Sequence, residues 1–272
     1  MRVLCCLNRD LASNLALNLL LPALRRHEVL VGLTERVGSA SRPAQEPPAR
    51  AELRAAEQTL PNEVLFPLVE RANLADDGAR LLTFAEIERH RGPRLTSLSN
   101  PNAGTGLDAV RDFAPDLILT IRYGAILREA VIAIPRYGVI NLHSGALPSY
   151  RGVLATFRAL SRGDNEIRCT LHYIADAGID TGDIIGTRTV PVDRERSLLW
   201  HILALYGPGI ALMSDVLADL AAGRQPPRTQ QATTGGAYYS YPSAQEWAAF
   251  TDQGWRIADA RDLLEIYSRY TD

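Results

Sequence analysis

"GVINLHSGALPSYRG", residues 138–152, decides how this chain reads. Its first half is a short apolar run, the pattern of a strand buried on both faces within a parallel sheet. The run ends in Asn141, Leu142 and His143, and a loop carrying Pro148 and Gly152 follows at once. Alternate residues of a strand share a face. Asn141 and His143 therefore aim together beyond the strand's C-terminal end, while Leu142 turns into the core. In an open parallel sheet, that end is where ligands bind.

Working outward, the chain alternates strands and helices. "RVLCCL" (2–7), the Leu-rich helix at 11–26 and "EVLVGLT" (28–34) make a β-α-β opening, which implies parallel strands with a right-handed crossover. Helices are predicted over 51–60, 63–74, 83–91, 106–116 and 125–134, the third with Thr83 as cap and Glu86 three residues later. "RLTSLSN" (94–100) is a weak strand and "LILTI" (117–121) a continuous apolar one. A helix over 153–163 closes on Gly163, strands follow at 168–174 and 183–192, and a helical stretch at 197–223 breaks at Gly207-Pro208-Gly209. "RVGSASRPAQEPPAR" (36–50) reads as a surface loop, whose order the sequence leaves open. The fold class is α/β: an open, mostly parallel twisted sheet over residues 1–223, the catalytic domain. Residues 224–272 begin polar and Pro/Gly-rich, then show two short helical patterns, and read as a C-terminal arm.

The 272 residues are 46% hydrophobic with a formal net charge of −2, enough for a sizeable core and no attraction to nucleic acid or an anionic membrane. Cys5, Cys6 and Cys169 show no metal-ligand spacing and read as small buried hydrophobes, so no metal is expected. The N-terminal apolar run is too short for a signal peptide, and no run of 18 apolar residues occurs, so no membrane span and a cytoplasmic location are expected. "NRDLASNL" (8–15), after the first strand, contains no glycine, which argues against a nicotinamide-binding fingerprint.

An amide N–H and a protonated imidazole both stabilise an oxyanion, and an imidazole moves protons near neutral pH. No Gly-x-Ser-x-Gly elbow surrounds Ser144, so the chemistry indicated is transfer to an external nucleophile. "YIADAGIDTGDII" (173–185) supplies carboxylates at Asp176, Asp180 and Asp183, broken by Gly178 and Gly182, and one of them beside His143 would tune its proton. Spacing alone does not choose among the three. His172, on the preceding strand with Thr170 and Ile174, either helps position that carboxylate or is a plain structural histidine. The "AYYSYP" run (237–242) either stacks on a substrate or packs the arm onto the domain.

"NLHSGALPSYRG" with "DAGIDTGDII" resembles the folate-dependent formyltransferase family, whose members act on methionyl-tRNA, glycinamide ribonucleotide and amino sugars. The one departure is Ser144, which directly follows the histidine. The resemblance implies a Rossmann-like fold, Asn141, His143 and Asp180 as the catalytic trio, and 10-formyltetrahydrofolate as formyl donor. It places "RYGAIL", namely Arg122, Tyr123, Gly124, Ala125, Ile126 and Leu127, along the pterin pocket with Ile174, Asp176 and Ile179. Arg9, Asn14, Ser144 and Arg151 are the candidate acceptor contacts. The reaction implied is formyl transfer through a tetrahedral intermediate to an amine. A tRNA-formylating member carries a larger, basic C-terminal domain and the purine-pathway enzyme a glycine-bearing phosphate loop. Neither feature stands in this sequence, so the expected acceptor is a small molecule: an amino sugar, often nucleotide-linked, or a primary or hydroxylated amine of an amino acid. No nucleic-acid or membrane partner is expected, and a homodimer is allowed. The alternatives are a formyltetrahydrofolate hydrolase, a methionyl-tRNA formyltransferase-like enzyme and a non-catalytic folate-binding module.

Overall fold

The structure is a computed structural model and describes residues 1–35, 46–76, 78–232 and 234–272. The expected loop at 36–50 therefore falls mainly outside the described residues, and by Pro48 the chain is already helical.

Seven strands form one sheet: β1 (Arg2–Asn8), β2 (Glu28–Thr34), β3 (Arg94–Ser97), β4 (Leu117–Ile121), β5 (Val139–His143), β7 (Glu166–Ile174) and β8 (Ile184–Pro191). Their order is β3-β2-β1-β4-β5-β7-β8. The first five run parallel, and β7 and β8 add antiparallel at the far edge. β4 is buried at every residue, as its uninterrupted apolar sequence requires. A second, two-stranded sheet pairs β6 (Arg151–Gly152) with β9 (Tyr238–Tyr239).

Helices cover both faces of the main sheet: α1 (Leu11–Leu24), α2 (Pro48–Arg54), α3 (Phe66–Ala72), α4 (Phe84–Arg91), α5 (Gly104–Phe113), α6 (Glu129–Ile132), α7 (Ala155–Ser161), α8 (Leu198–Ala204), α9 (Tyr206–Ala221), α10 (Ala244–Asp252) and α11 (Ala260–Ser268). Asp10 caps α1 by accepting the Ser13 N–H at 2.7 Å. Thr83 and Glu86 close a reciprocal capping box on α4.

Three helical expectations need correction. The patterns at 51–60 and 63–74 are one continuous helix, in which α2 passes through wide turns at Ala55–Thr59 and Pro61–Leu65 into α3. The helix expected over 125–134 shrinks to α6, because the Asn102 side chain takes the Ile126 carbonyl and the Arg128 N–H and holds the preceding segment as a loop. The break expected at Gly207-Pro208-Gly209 falls instead at Leu205. Pro208 sits in the first turn of α9, where its missing N–H costs nothing. Gly209 is there for packing, since a Cβ would lie 3.0 Å from both Cys169 Sγ and Leu142 Cδ1. The run 198–221 is long and apolar enough to cross a membrane by length and composition, and its apolar residues are largely buried in the core.

The arm enters the same core. Trp247, Phe250, Trp255 and Tyr270 are at most 4% exposed, and Phe157 of α7 packs 4.5 Å from Trp247 and 4.6 Å from Phe250 between ring centroids. The Asp262 carboxylate accepts both the N–H and the hydroxyl of Ser197, which caps α8. Cys5 and Cys6 are buried free thiols, and burial pushes Cys5 up to about 12. They are packing residues.

Candidate active site

Strand register builds the site. Asn141 of β5 lies opposite Thr120 of β4 on one side and His172 of β7 on the other. Side chains of paired residues share a face. The Asn141 amide is accordingly held at both ends: Oδ1 accepts from Thr120 Oγ1 at 2.7 Å, and Nδ2 lies 3.0 Å from His172 Nε2. His172 Nδ1 is 2.8 Å from the Tyr173 carbonyl, which takes the ring's hydrogen and leaves Nε2 to accept from Asn141. An amide nitrogen has two hydrogens, so Asn141 keeps a second N–H for a substrate oxygen.

His143 follows two residues later on the same face. Its Nε2 is 2.6 Å from the Tyr150 carbonyl and is packed so closely against Gly145 that a Cβ there would lie 2.6 Å from it. The loop 144–150 thus encloses the Nε2 edge, and Thr170 fixes the loop by donating to the Gly145 carbonyl at 2.7 Å. The working edge is Nδ1, which is 3.5 Å from Asp180 Oδ2. Both ring nitrogens face oxygens, the Tyr150 carbonyl and the Asp180 carboxylate.

Of the three carboxylates left open by the sequence, Asp180 is the one brought to His143. It sits at φ 55, in the left-handed region, and its side chain is 10% exposed. Oδ2 accepts the Gly152 N–H at 2.8 Å, and Oδ1 is 3.4 Å from His172 Nε2. Burial works to raise this carboxyl, but His143 beside it and the Gly152 N–H outweigh it and hold it down at about 2. Gly182 lets the loop fold tightly, since a Cβ would come within 1.9 Å of the Tyr173 carbonyl. Gly152 is at φ +96 and lies against the Tyr239 carbonyl. Asp176 accepts the Gly178 N–H and serves its own loop.

The segment expected to line a pterin pocket divides. Arg122, at φ 55, turns away into a buried ion cluster, 3.0 Å from Asp10 Oδ2 and 2.9 Å from Glu57 Oε2. Tyr123 donates its hydroxyl to the Leu98 carbonyl, and Leu127 is core. These three side chains are committed elsewhere, which corrects the expectation for them. What remains toward solvent is the backbone around Gly124 and Ala125 with Ile126, 46% exposed, and Ile179 across on the Asp180 loop, 37% exposed. Ile174 is partly buried against the core. Ile126 and Ile179 are thus exposed large apolar side chains on the segments that follow β4 and β7.

One acceptor candidate, Asn14, is also corrected. Asn14 is fully buried and accepts the Tyr270 hydroxyl at 2.6 Å, so it anchors the arm. Arg9 pairs outward with Glu35 at 3.1 Å. Ser144 lines a groove with Ser149, Thr156 and Arg162 that none of Asn141, His143 and Asp180 borders. Arg151 lies in β6 and donates its backbone N–H to Ala237 of the arm. Sequence reasoning missed Thr120, Glu57 and Gln231. Thr120 carries the one usable signal, a lone polar residue inside an otherwise apolar strand.

A model of the formyl transferase family matches residues 71–199, which hold β4, the trio and the Asp180 loop. Among curated proteins, the methionyl-tRNA formyltransferase of Ralstonia nicotianae is 35% identical over 178 residues, covering 64% of this chain and 52% of that protein. That of Xylella fastidiosa strain 9a5c is 38% identical over 133 residues, covering 48% and 43%. The chain thus spans about half the length of these relatives. Among solved structures, the N-formyltransferase from Helicobacter canadensis, in complex with folinic acid and dTDP-3-aminofucose, has a TM-score of 0.55 at 15% identity, covering 96% of this chain and 85% of that one. Glycinamide ribonucleotide transformylase 1 from Symbiobacterium toebii has a TM-score of 0.55 at 16% identity, covering 85% and 94%. At such identities the structures show the shared fold, and the sequence match shows a likeness to the formyl transferase family over residues 71–199.

Proposed function

We propose that this chain is a folate-dependent N-formyltransferase that moves a formyl group from 10-formyltetrahydrofolate to the primary amine of a small-molecule acceptor. The observation that carries the reading is the convergence of an Asn141 N–H, the Nδ1 edge of His143 and the ionised Asp180 at the end of β5. Ile126 and Ile179 are exposed large apolar side chains, a type that suits the ring of such a donor. The donor supplies an activated one-carbon unit. Asn141 donates its second N–H to the charge that develops on the formyl oxygen. Asp180 holds the His143 ring by its Nδ1 edge, and the pair moves the proton that the attacking nitrogen loses toward the leaving nitrogen.

The donor assignment draws support from relatives whose structures hold such ligands, folinic acid in the Helicobacter canadensis enzyme and 5-N-formyl-THF in the sugar 3N-formyltransferase WlaRD. A small acceptor is favoured because the chain carries a net charge of −2, which gives it no attraction to nucleic acid. The aminated nucleotide sugar of the Helicobacter canadensis complex makes that class the leading one. A second reading, formylation of methionyl-tRNA, is favoured by the identity to the Ralstonia and Xylella enzymes.

The test is incubation with 10-formyltetrahydrofolate and a panel of amines: nucleotide-linked amino sugars, hydroxylated amino-acid amines and methionyl-tRNA. Tetrahydrofolate release and formylated product are read by mass. Release that requires a small amine supports the reading. Product only with methionyl-tRNA selects the second reading, release without any amine indicates hydrolysis, and no turnover in any arm overturns the proposal.

A further inference from the structure

The arm does more than cover the core, because it grips both loops that carry catalytic groups. Thr229 bonds Ile184 at the start of β8 in both directions, at 2.9 and 2.8 Å. Two residues on, Gln231 turns its side chain into the Asp180 loop. Its Nε2 donates to the Asp180 carbonyl at 2.9 Å and to the Gly182 carbonyl at 2.6 Å. The two hydrogens of one amide nitrogen serve both bonds at once. They bracket Thr181 and pin the left-handed turn at Asp180, a conformation that Cβ–carbonyl crowding disfavours. Farther along, the Ala237 and Tyr239 carbonyls accept the Arg151 and Val153 N–H groups at 3.0 and 2.9 Å. Successive N–H groups along a strand point to opposite edges. The Gly152 N–H between them is therefore turned the other way, where it meets Asp180 Oδ2 at 2.8 Å.

We propose that Gln231 is a positioning residue for the Asp180 carboxylate, and that the described arm residues between 229 and 239 are the clamp through which it acts. The proposal rests on the catalytic role given to Asp180 above. Gln231 ties down the backbone that carries the carboxylate, and the β6–β9 pairing presents the N–H that receives it. With both in place, Oδ2 stays against His143. With Gln231 removed, the loop relaxes toward solvent and the carboxylate leaves His143, His172 and Gly152 together.

Two variants test this in the full chain, Gln231→Ala and the isosteric Gln231→Glu, which keeps the packing but replaces the donor with an acceptor. The readouts are kcat and KM for donor and acceptor, and the titration of the Asp180 carboxyl by carbon NMR, assigned with Asp180→Asn. Gln231→Ala is expected to lower kcat about tenfold, the loss of one to two net hydrogen bonds, with KM changed less than about twofold. The Asp180 titration moves up from about 2 toward the ordinary carboxylate range. Gln231→Glu loses at least as much, because its carboxylate faces two carbonyl oxygens. The proposal is overturned if both variants keep native kcat, or if kcat falls while the Asp180 titration stays where it was. Should the native chain turn over none of the amines, the functional reading fails, and the titration still decides the role of Gln231.

Discussion

Replacing Glu57 with Gln tests the buried charge cluster behind the site. Glu57 is 6% exposed, shares Arg122 with Asp10, and has Oε1 buried without a partner among the described residues. Burial foremost, with the like charge of Asp10, pushes its carboxyl up to about 7 against the pull of Arg122. The unfolded chain releases this proton near 4.5 and the folded chain near 7. Between those values the folded state binds more protons, so this group's contribution to stability is full below pH 4.5 and is lost as pH rises through 7. At about 1.4 kcal/mol for each tenfold difference in proton affinity, the interval is worth about 3 kcal/mol. His201, buried and lowered, works the other way in part of the same window. The informative quantity is therefore the native chain minus Glu57→Gln. Urea unfolding at fixed pH from 4.5 to 8 should show the native chain gaining about 3 kcal/mol on the variant toward the acid end, or about 1–3 M in midpoint. Parallel profiles for the two proteins would refute the raised Glu57 carboxyl and the burial argument behind it.

Other consequences are simpler to measure. Asn141→Ala and His143→Ala should each lower kcat by about 10²–10³ while leaving the circular dichroism spectrum native; normal turnover in a folded His143→Ala chain contradicts the mechanism. Asp180, held at about 2, contributes stability that is present above its ordinary value of 3.8 and is lost as pH falls through about 2. Native and Asp180→Asn chains should thus converge by about 2 kcal/mol between pH 5 and 2, read by urea unfolding. Gly182→Ala forces a methyl to within 1.9 Å of the Tyr173 carbonyl, so its melting temperature should drop by at least several degrees; an unchanged melt would show that the Asp180 loop moves freely.

How much of this was legible follows from what each signal depends on. The direction of Asn141 and His143 needed only the period of a strand, and β4 and β5 needed only apolar runs, so those readings are local. The choice of Asp180 over Asp176 and Asp183 depended on a left-handed turn and on Gly152, a residue 28 positions away. Spacing could not supply that, and only family likeness named it in advance. The contact of His172 with Asn141 is a fact of antiparallel register, which the sequence does not state. Arg122 looked like a pocket residue because its neighbours carry the motif. Its side chain is decided instead by Asp10 and Glu57, which come from two other parts of the chain. Gly209 looked like a helix breaker because local propensity sees only its own helix, whereas the residue answers to Cys169 and Leu142 beneath it.

The placement of the arm has the sharpest experimental consequence. Composition divides the chain at residue 223, and a chain of residues 1–223 would then fold alone. The packing predicts otherwise. Trp247, Phe250, Trp255 and Tyr270 are nearly or fully buried against the catalytic domain. At about 2–3 kcal/mol for each buried side chain of that size, these four contribute about 10 kcal/mol, as much as the whole net stability of an ordinary domain. Removing them also strips Asp262 from the cap of α8, exposes Phe157, and leaves Asn14 buried without the Tyr270 hydroxyl. A 1–223 chain should therefore lack a cooperative thermal transition and be cleaved rapidly by protease where the full chain resists. Cooperative unfolding near the native midpoint would show instead that the arm is an appendage. The clamp that Gln231 and β9 place on the catalytic loops would then have to be tested as an addition to a domain already folded.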